Sequence, residues 1–203
     1  MSVDISIVIP LAVSETQQHR LLKDLSDIPT LKGEVIQCCK GNRAISLNKG
    51  AAQASGQWLW FIHADSRITA ASVQALQKQL TRRPEALHYF KLGFDKNPKQ
   101  FGLTCLNAWG ANFRSKLFGA PFGDQGLCIR RDHFRKLGGY SEIAPYGEDL
   151  LLVWKARKVG IKLNRIASTL LTSPRKYQDY GWLKLTLLFQ WRYLSLRFKR
   201  KQY

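Results

Sequence analysis

Acidic residues are scarce in this chain. Its 203 residues include 14 Asp and Glu against 32 Lys and Arg, a formal net charge of +18 with His neutral. An excess of that size implies an anionic partner: a phosphorylated ligand, an acidic lipid surface or a nucleic acid. Cysteine is sparse too, and Cys38, Cys39, Cys105 and Cys128 show neither a C-x-x-C pair nor zinc-ligand spacing. The adjacent Cys38 and Cys39 sit in an apolar run and read as buried free thiols, which points to a reducing, cytoplasmic compartment. His19, His63, His88 and His133 are scattered, with no i, i+4 metal pair and no Ser/His/Asp pattern. No run is long and apolar enough to span a bilayer, and no basic segment followed by a long apolar core opens the chain, so a secretory signal is not expected. Helix-turn-helix, zinc-finger and aromatic RNA-binding motifs are missing, so a nucleic-acid partner rests on charge alone and is disfavoured. What is present, 45% hydrophobic residues without internal repeats or low-complexity linkers, fits a globular chain with a sizeable core.

The stretch from Gln57 to Arg67 organises the rest. Trp58-Leu59-Trp60-Phe61-Ile62 ends abruptly in His63-Ala64-Asp65-Ser66. Apolar residues without alternation suit a strand covered on both faces. In open α/β sheets ligands bind outside the carboxyl ends of such strands, which would put Asp65 at the ligand crevice. Around it, Ile5–Pro10 reads as a first strand, 13–25 as a helix opened by Ser14 and Gln17, and Gly33–Cys39 as a second strand. Arg43–Ser55 reads as a helix ending at Gly56, and Thr69 or Ser72 opens another that runs to about Arg83. Strand, helix, strand, helix, strand, helix argues for a parallel sheet with helices on its faces. Further on, Ala86–Phe94 reads as a strand, 95–99 as a polar turn and Phe101–Phe118 as a helix. Leu127–Arg130 is a short strand and Arg131–Leu137 a short helix. Glu148 and Asp149 open a helix to Lys158, their charge suiting its N-terminal dipole.

With so few carboxylates, their clustering at strand ends and glycine loops is informative. Three acidic places stand out: His63-Ala64-Asp65, Gly123-Asp124-Gln125 and Glu148-Asp149. A carboxylate at the end of a central strand can hold a hard divalent cation, which would neutralise a diphosphate. A second carboxylate in the crevice can accept a proton from an incoming hydroxyl. Each also has a purely structural reading: helix capping for Glu148-Asp149, a tight turn for Gly123-Asp124-Gln125, and for the third a strand end whose Asp65 and Ser66 cap the next helix while His63 packs there, though His63 could instead orient Asp65 or approach the metal. Trp109 and Trp154 suit a core or an acceptor groove better than a stacking platform for bases.

The ordered set resembles the family 2 glycosyltransferases of the GT-A fold. Ser6-Ile7-Val8-Ile9-Pro10 with Glu15 looks like the family's opening strand. Arg43-Ala44 and Leu47-Asn48-Lys49-Gly50-Ala51-Ala52 look like its nucleotide-side helix, and His63-Ala64-Asp65-Ser66 like its acidic metal motif. Gly123-Asp124-Gln125-Gly126, Gly138-Gly139-Tyr140 and Glu148-Asp149 follow in family order. Thr172-Ser173-Pro174-Arg175-Lys176-Tyr177 resembles the ending of a short subfamily associated with arsenosugar biosynthesis. The resemblance implies an α/β GT-A fold with a mostly parallel sheet, in a single domain over 1–180, with a nucleotide half at 1–85 and an acceptor half at 86–180. It implies a metal-dependent hexosyltransferase-type enzyme, commonly inverting, that moves a sugar from a nucleotide-diphosphate donor to a hydroxyl. Pro10, Glu15, Arg43, Asn48, Arg175 and Lys176 would bind the donor. Asp65 would ligate Mg²⁺ or Mn²⁺. Asp149 would be the general base with Glu148 beside it, and Asp124 and Gln125 would line the acceptor side. One departure stands out: Glu34-Val35-Ile36-Gln37-Cys38-Cys39 runs almost directly into Lys40-Gly41-Asn42-Arg43, without the family's acidic nucleoside-holding turn. A fold that binds without turnover is therefore the alternative to an enzyme.

The last segment, 181–203, reads as a basic amphipathic helix. Lys184, Thr186, Gln190 and Arg192 interrupt its apolar residues, and Arg197, Lys199, Arg200 and Lys201 close it. It can pack one apolar stripe on the domain, lie at an anionic membrane interface, or do both with different stripes. The second option would suit peripheral membrane binding and a lipid-linked acceptor.

Overall fold

A computed structural model describes residues 4–12, 18–31, 33–95 and 101–199. Its centre is a six-stranded sheet of β1 (Ile5–Pro10), β2 (Gly33–Cys38), β3 (Trp58–Phe61), β4 (Leu87–Phe94), β5 (Cys128–Arg130) and β6 (Leu163–Thr172), in the order β2-β1-β3-β5-β4-β6. β1 pairs in parallel with both β2 and β3, and β4 with β6. β5 runs antiparallel between β3 and β4, so the sheet is mixed and mostly parallel. β3 is central and its four residues are buried, as continuous apolar character requires. It is shorter than the apolar run: Ile62 to Ser66 leave the sheet as a loop, so Asp65 lies beyond the strand end rather than on it. β2 is the edge strand and alternates exposed with half-buried positions, so one side of it faces water.

Alternation of side chains along β1 divides the core in two. Ile5, Ile7 and Ile9, with Trp58, Trp60 and Ile62, pack against α1 (Gln18–Ser26) and α3 (Ala70–Arg82) through Leu21, Leu25, Val73, Leu76 and Leu80. Val8, Leu59 and Phe61 face the other way, onto Ala44, Leu47 and Ala51 of α2 (Arg43–Gln53) and Leu152, Val153 and Ala156 of α6 (Glu148–Lys158). α2 is capped by Asn42, whose Oδ1 accepts the Ile45 N–H at 2.9 Å. It comes close to the sheet because position 50 is glycine: a Cβ there would sit 2.5 Å from Val8 Cγ1. α3 opens with a capping box in which Thr69 and Ser72 each accept the other's backbone N–H. α5 spans Arg131–Lys136 and α7 Arg175–Tyr180.

Two helices lie apart from this two-layer pattern. α4 (Phe101–Phe118) and α8 (Trp182–Lys199) are held to each other by Asn107 Nδ2, which donates to Thr186 Oγ1 at 3.3 Å, and by Trp182 Nε1, which donates to the Leu103 carbonyl at 3.0 Å. Leu196 of α8 joins a third small core with Ala144, Leu150, Leu151 and Trp154, against the start of α6. The expected helix over 13–25 is observed from Gln18 only; its proposed cap residues Ser14 and Gln17, and most of the polar turn at 95–99, fall outside the described residues. Cys38 is buried but Cys39 is exposed, contrary to the reading of both as buried thiols, because Cys39 already lies past the end of β2.

Candidate active site

The three acidic segments meet at the carboxyl end of β3. The antiparallel course of β5 explains how: the chain must enter β5 where β3 ends, so the turn before β5, Gly123–Gln125, is delivered beside His63 and Asp65. The loop carrying Asp65 is fixed from behind by Arg67, whose Nε and Nη2 donate to Asp24 at 2.6 and 2.8 Å and whose backbone N–H donates to the Leu171 carbonyl at 2.9 Å. Gly147, with φ +70°, turns the chain into α6 and places Glu148 and Asp149 at its first positions.

These groups line a cavity of about 590 Å³ that also takes in Arg114, Lys176 and Tyr177 and is walled by α4 and α8. Arg43 is its hub. The Arg43 Nε lies 3.1 Å from Glu148 Oε1, one Nη lies 3.9 Å from Asp149 Oδ2, and the same Nη donates to His63 Nε2. A guanidinium only donates, so His63 accepts through Nε2 as a neutral ring. Burial, then Arg43 and Lys176, hold its pKa well below the usual value. Asp149 Oδ2 also accepts the Gly123 N–H, and its Oδ1 accepts the Leu150 N–H. This convergence needs a glycine at 123, since a Cβ there would sit 3.0 Å from both Asp149 Oδ2 and His63 Nε2. Burial pushes the Glu148 carboxyl up, against the pull of Arg43.

Asp124 is different. Among the described residues its buried Oδ1 has no hydrogen-bond partner, and burial pushes its pKa up to about 6. Arg114 opposes that rise, while Asp149 and Asp65 reinforce it. The Arg114 guanidinium stacks 3.7 Å above the Phe122 ring and donates to the Ala120 carbonyl. Asp65 accepts a hydrogen bond from Thr172 Oγ1 at 3.2 Å.

The expected site residues therefore separate. Arg43, Asp65, Asp124, Glu148, Asp149 and Lys176 line one cavity. Gln125 does not: it is fully buried, its Oε1 accepting from Ser115 Oγ at 2.6 Å and its Nε2 donating to the Phe90 carbonyl, so it anchors the turn rather than facing an acceptor. Asn48 likewise clamps the 139–142 loop, its Oδ1 accepting the Tyr140 N–H and its Nδ2 donating to the Tyr140 carbonyl and Glu142 Oε1. Pro10 ends β1 and Arg175 starts α7, neither lining this cavity; Glu15 lies outside the described residues. His63 faces the cavity and holds Arg43 rather than simply packing at the strand end. Arg114 was missed; a lone arginine within an apolar helix carries no motif. Trp154 is buried as expected, whereas Trp109 borders the cavity with 64% of its surface still exposed.

The residues suit a hard divalent cation of the kind that keeps most of its ligands from phosphate and water. Among the described residues no three His, Cys, Asp or Glu side chains converge as a ready-made cage. Asp65, already held by Thr172 Oγ1, offers one carboxylate to such an ion, and Asp124 Oδ1 lies in the same cavity with no hydrogen-bond partner among the described residues.

No family model matches the chain, and no curated protein matches it. Solved structures do. TarS of S. aureus superposes with a TM-score of 0.62 at 16% identity, over 87% of this chain and 38% of that one. A structure of TarS 1-349 in complex with UDP-GlcNAc gives 0.56 at 13% identity, covering 84% and 58%. The catalytic domain of Drosophila β1,4-galactosyltransferase 7, in complex with xylobiose, gives 0.54 at 15% identity, covering 81% and 65%. The chain thus spans less than two thirds of each of these proteins. It has the α/β fold of GT-A-type glycosyltransferases, with a six-stranded sheet flanked by helices.

Proposed function

We propose that the protein is a metal-dependent glycosyltransferase that moves a sugar from a nucleotide-diphosphate donor to an acceptor hydroxyl with inversion, of the family 2 kind that its motifs resemble. The observation that carries this reading is the meeting of Asp65, Asp124 and the Glu148-Asp149 pair with Arg43, Arg114 and Lys176 in one cavity at the end of the central strand. Similarly folded proteins bound to UDP-GlcNAc or UDP support the donor class.

Asp149 is the general base. It lies on the cavity wall, is held by two backbone N–H groups, and takes the acceptor's proton as the hydroxyl oxygen attacks the anomeric carbon. The bond to the diphosphate breaks as the new C–O bond forms. Glu148 holds Arg43, and through it the orientation of Asp149 and His63. Lys176, with Arg175 adjacent, offsets the charge of the departing diphosphate. Asp124 accepts a hydrogen bond from the acceptor. When bound, Mg²⁺ or Mn²⁺ on Asp65 would neutralise the donor diphosphate.

A second reading, a fold that binds without turnover, is supported by the direct passage from β2 through Lys40-Gly41-Asn42 into α2, where the acidic nucleoside turn is missing. One experiment separates the two. Hydrolysis of UDP-sugars is followed with Mn²⁺ and without it, alongside UDP-induced thermal shifts. The enzyme reading expects Mn²⁺-dependent turnover and a shift that Asp65→Asn abolishes without unfolding the chain. Binding with no turnover of any nucleotide sugar selects the second reading, and an unchanged Mn²⁺ dependence in Asp65→Asn removes that residue from the metal site.

A further inference from the structure

Neither α4 nor α8 is an ordinary surface helix. Each packs one side against the domain, yet each carries a second apolar stripe that points outward. On α4 the stripe is Leu106, Trp109, Phe113 and Leu117; on α8 it is Leu183, Leu187, Trp191, Leu194 and Phe198. The spacings of three and four place each set along one helical face. Every one of these residues is about half exposed or more, from 49% at Phe113 to 85% at Phe198. Trp109 and Phe113 stack on each other at 5.4 Å and, among the described residues, both stay about half exposed or more. Scattered exposed hydrophobics are ordinary, but two neighbouring helices each with a continuous stripe form a patch that must be covered by something.

Charge says what covers it. Outside the cavity the two helices expose Lys116, Lys184 and Arg197, and neither helix holds a single Asp or Glu. Apolar and aromatic residues edged by cations alone, on a chain of net charge +18, match an acidic lipid surface. A second copy of this chain would bring the same unbalanced positive charge onto itself. Position adds to this. Leu106 and Trp109 of α4, and Trp182 and Phe189 of α8, also wall the cavity, so a bilayer against this face meets the cavity rim.

We propose that α4 and α8 together form a docking face for an anionic bilayer, and that the acceptor hydroxyl is presented by a lipid headgroup or a lipid-carried group at that surface. The identity of the acceptor rests on the glycosyltransferase reading; the docking face does not. Among the described residues no helix is long and apolar enough to cross a membrane, and the proposed contact is peripheral.

The test is co-sedimentation of the intact protein with vesicles of phosphatidylcholine alone and of phosphatidylcholine with phosphatidylglycerol, at low and high salt, with no donor present. Binding to the anionic vesicles should be at least about tenfold stronger and should fall as salt rises. The variant Phe113→Ser/Leu117→Ser/Leu187→Ser/Leu194→Ser should lose at least about tenfold of that binding while keeping its circular dichroism and its UDP-induced thermal shift. Those four residues lie outside the cavity, so donor binding reports separately on the enzyme reading. Protein that stays in the supernatant with both vesicle types overturns the proposal. So does sedimentation velocity showing a dimer that the same substitutions break apart, because the face is then covered by a second copy.

Discussion

Two carboxylates at opposite ends of one sheet have opposite fates. Glu34, near the start of β2, offers Oε1 to the Ser6 hydroxyl at 2.6 Å, to the Ser55 N–H at 2.6 Å and hydroxyl at 2.8 Å, and to the Gly56 N–H. Those hydrogen bonds, led by Ser6, bring its pKa down to about 2. Asp124, at the end where β3 stops, has a buried oxygen that none of the described residues answers, and its pKa goes up to about 6. The first carboxylate builds: it ties β1 and β2 to the residues that lead into β3. The second is left unanswered in a cavity lined with cations. A carboxylate answered by several hydrogen bonds, as half-buried Glu34 is, marks structure, and a buried one with an oxygen left unanswered, as Asp124 is, is a candidate for meeting a ligand.

The largest effect tests the functional end. Asp149→Asn should lower sugar transfer by about 10²–10⁴-fold, roughly 3–5 kcal/mol of barrier, while donor binding by thermal shift is retained. Near-native transfer would shift the base to Asp124 or Glu148. Next is stability at the same end. Because the Asp124 pKa is raised from 3.8 to about 6, its penalty appears as pH climbs through that window and is constant above it. Asp124→Asn should therefore melt higher than the parent above pH 6, by up to about 3 kcal/mol without donor, and equally near pH 3.5. A variant less stable at pH 7.5 would contradict the picture. Glu34 must behave in the reverse sense. Its stabilisation is complete above pH 4.5 and is lost as pH falls toward 2. After discounting for its partial exposure, Glu34→Gln should cost about 1–2 kcal/mol in urea denaturation at pH 7, and the gap should close in acid. The smallest effect belongs to the outer stripes. Leu187→Ser should change stability in buffer by no more than about 0.5 kcal/mol, since 60% of that residue is already exposed.

Much of this was legible in the chain itself, for identifiable reasons. α4 and α6 lie where their residues imply, Phe101–Phe118 and Glu148–Lys158, because glycine and proline punctuation and a first-turn acidic pair mark their limits. β6 was not legible. Its inward positions include Asn164 and Thr172 beside Ile166 and Leu170, so hydrophobicity alone does not alternate even though burial does. Asn164 can face inward because it donates to His88 and Gln79, partners that only the tertiary fold supplies. The three residues of β5 carry no directional signal, so its antiparallel course was hidden. Asp65, Asp124 and Asp149 stood out because carboxylates are scarce and these fall at a strand end, a glycine turn and a helix start, whereas Arg43 was named through the family resemblance alone; all four line the same cavity. Gln125 and Asn48 misled for the complementary reason: a carboxamide that answers backbone groups looks, in sequence, like one that answers a ligand.

The antiparallel strand also sets an order of assembly. β3 lies between β1 and β5, and about 70 residues separate it from β5 in the chain. As the chain is synthesised, the Trp58–Phe61 segment can pair on one side with β1 but keeps an open apolar edge until Cys128–Arg130 has emerged. Such an edge is a template for pairing with other chains, and closing a loop of that length is slow relative to local helix formation. The step that shields the edge is also the step that brings Gly123–Gln125 to Asp65. A nascent chain halted before residue 128 should therefore be prone to aggregate, whereas one extended through β5 closes that edge and brings the 123–125 turn to Asp65 together, leaving α7 and α8 to complete the cavity wall.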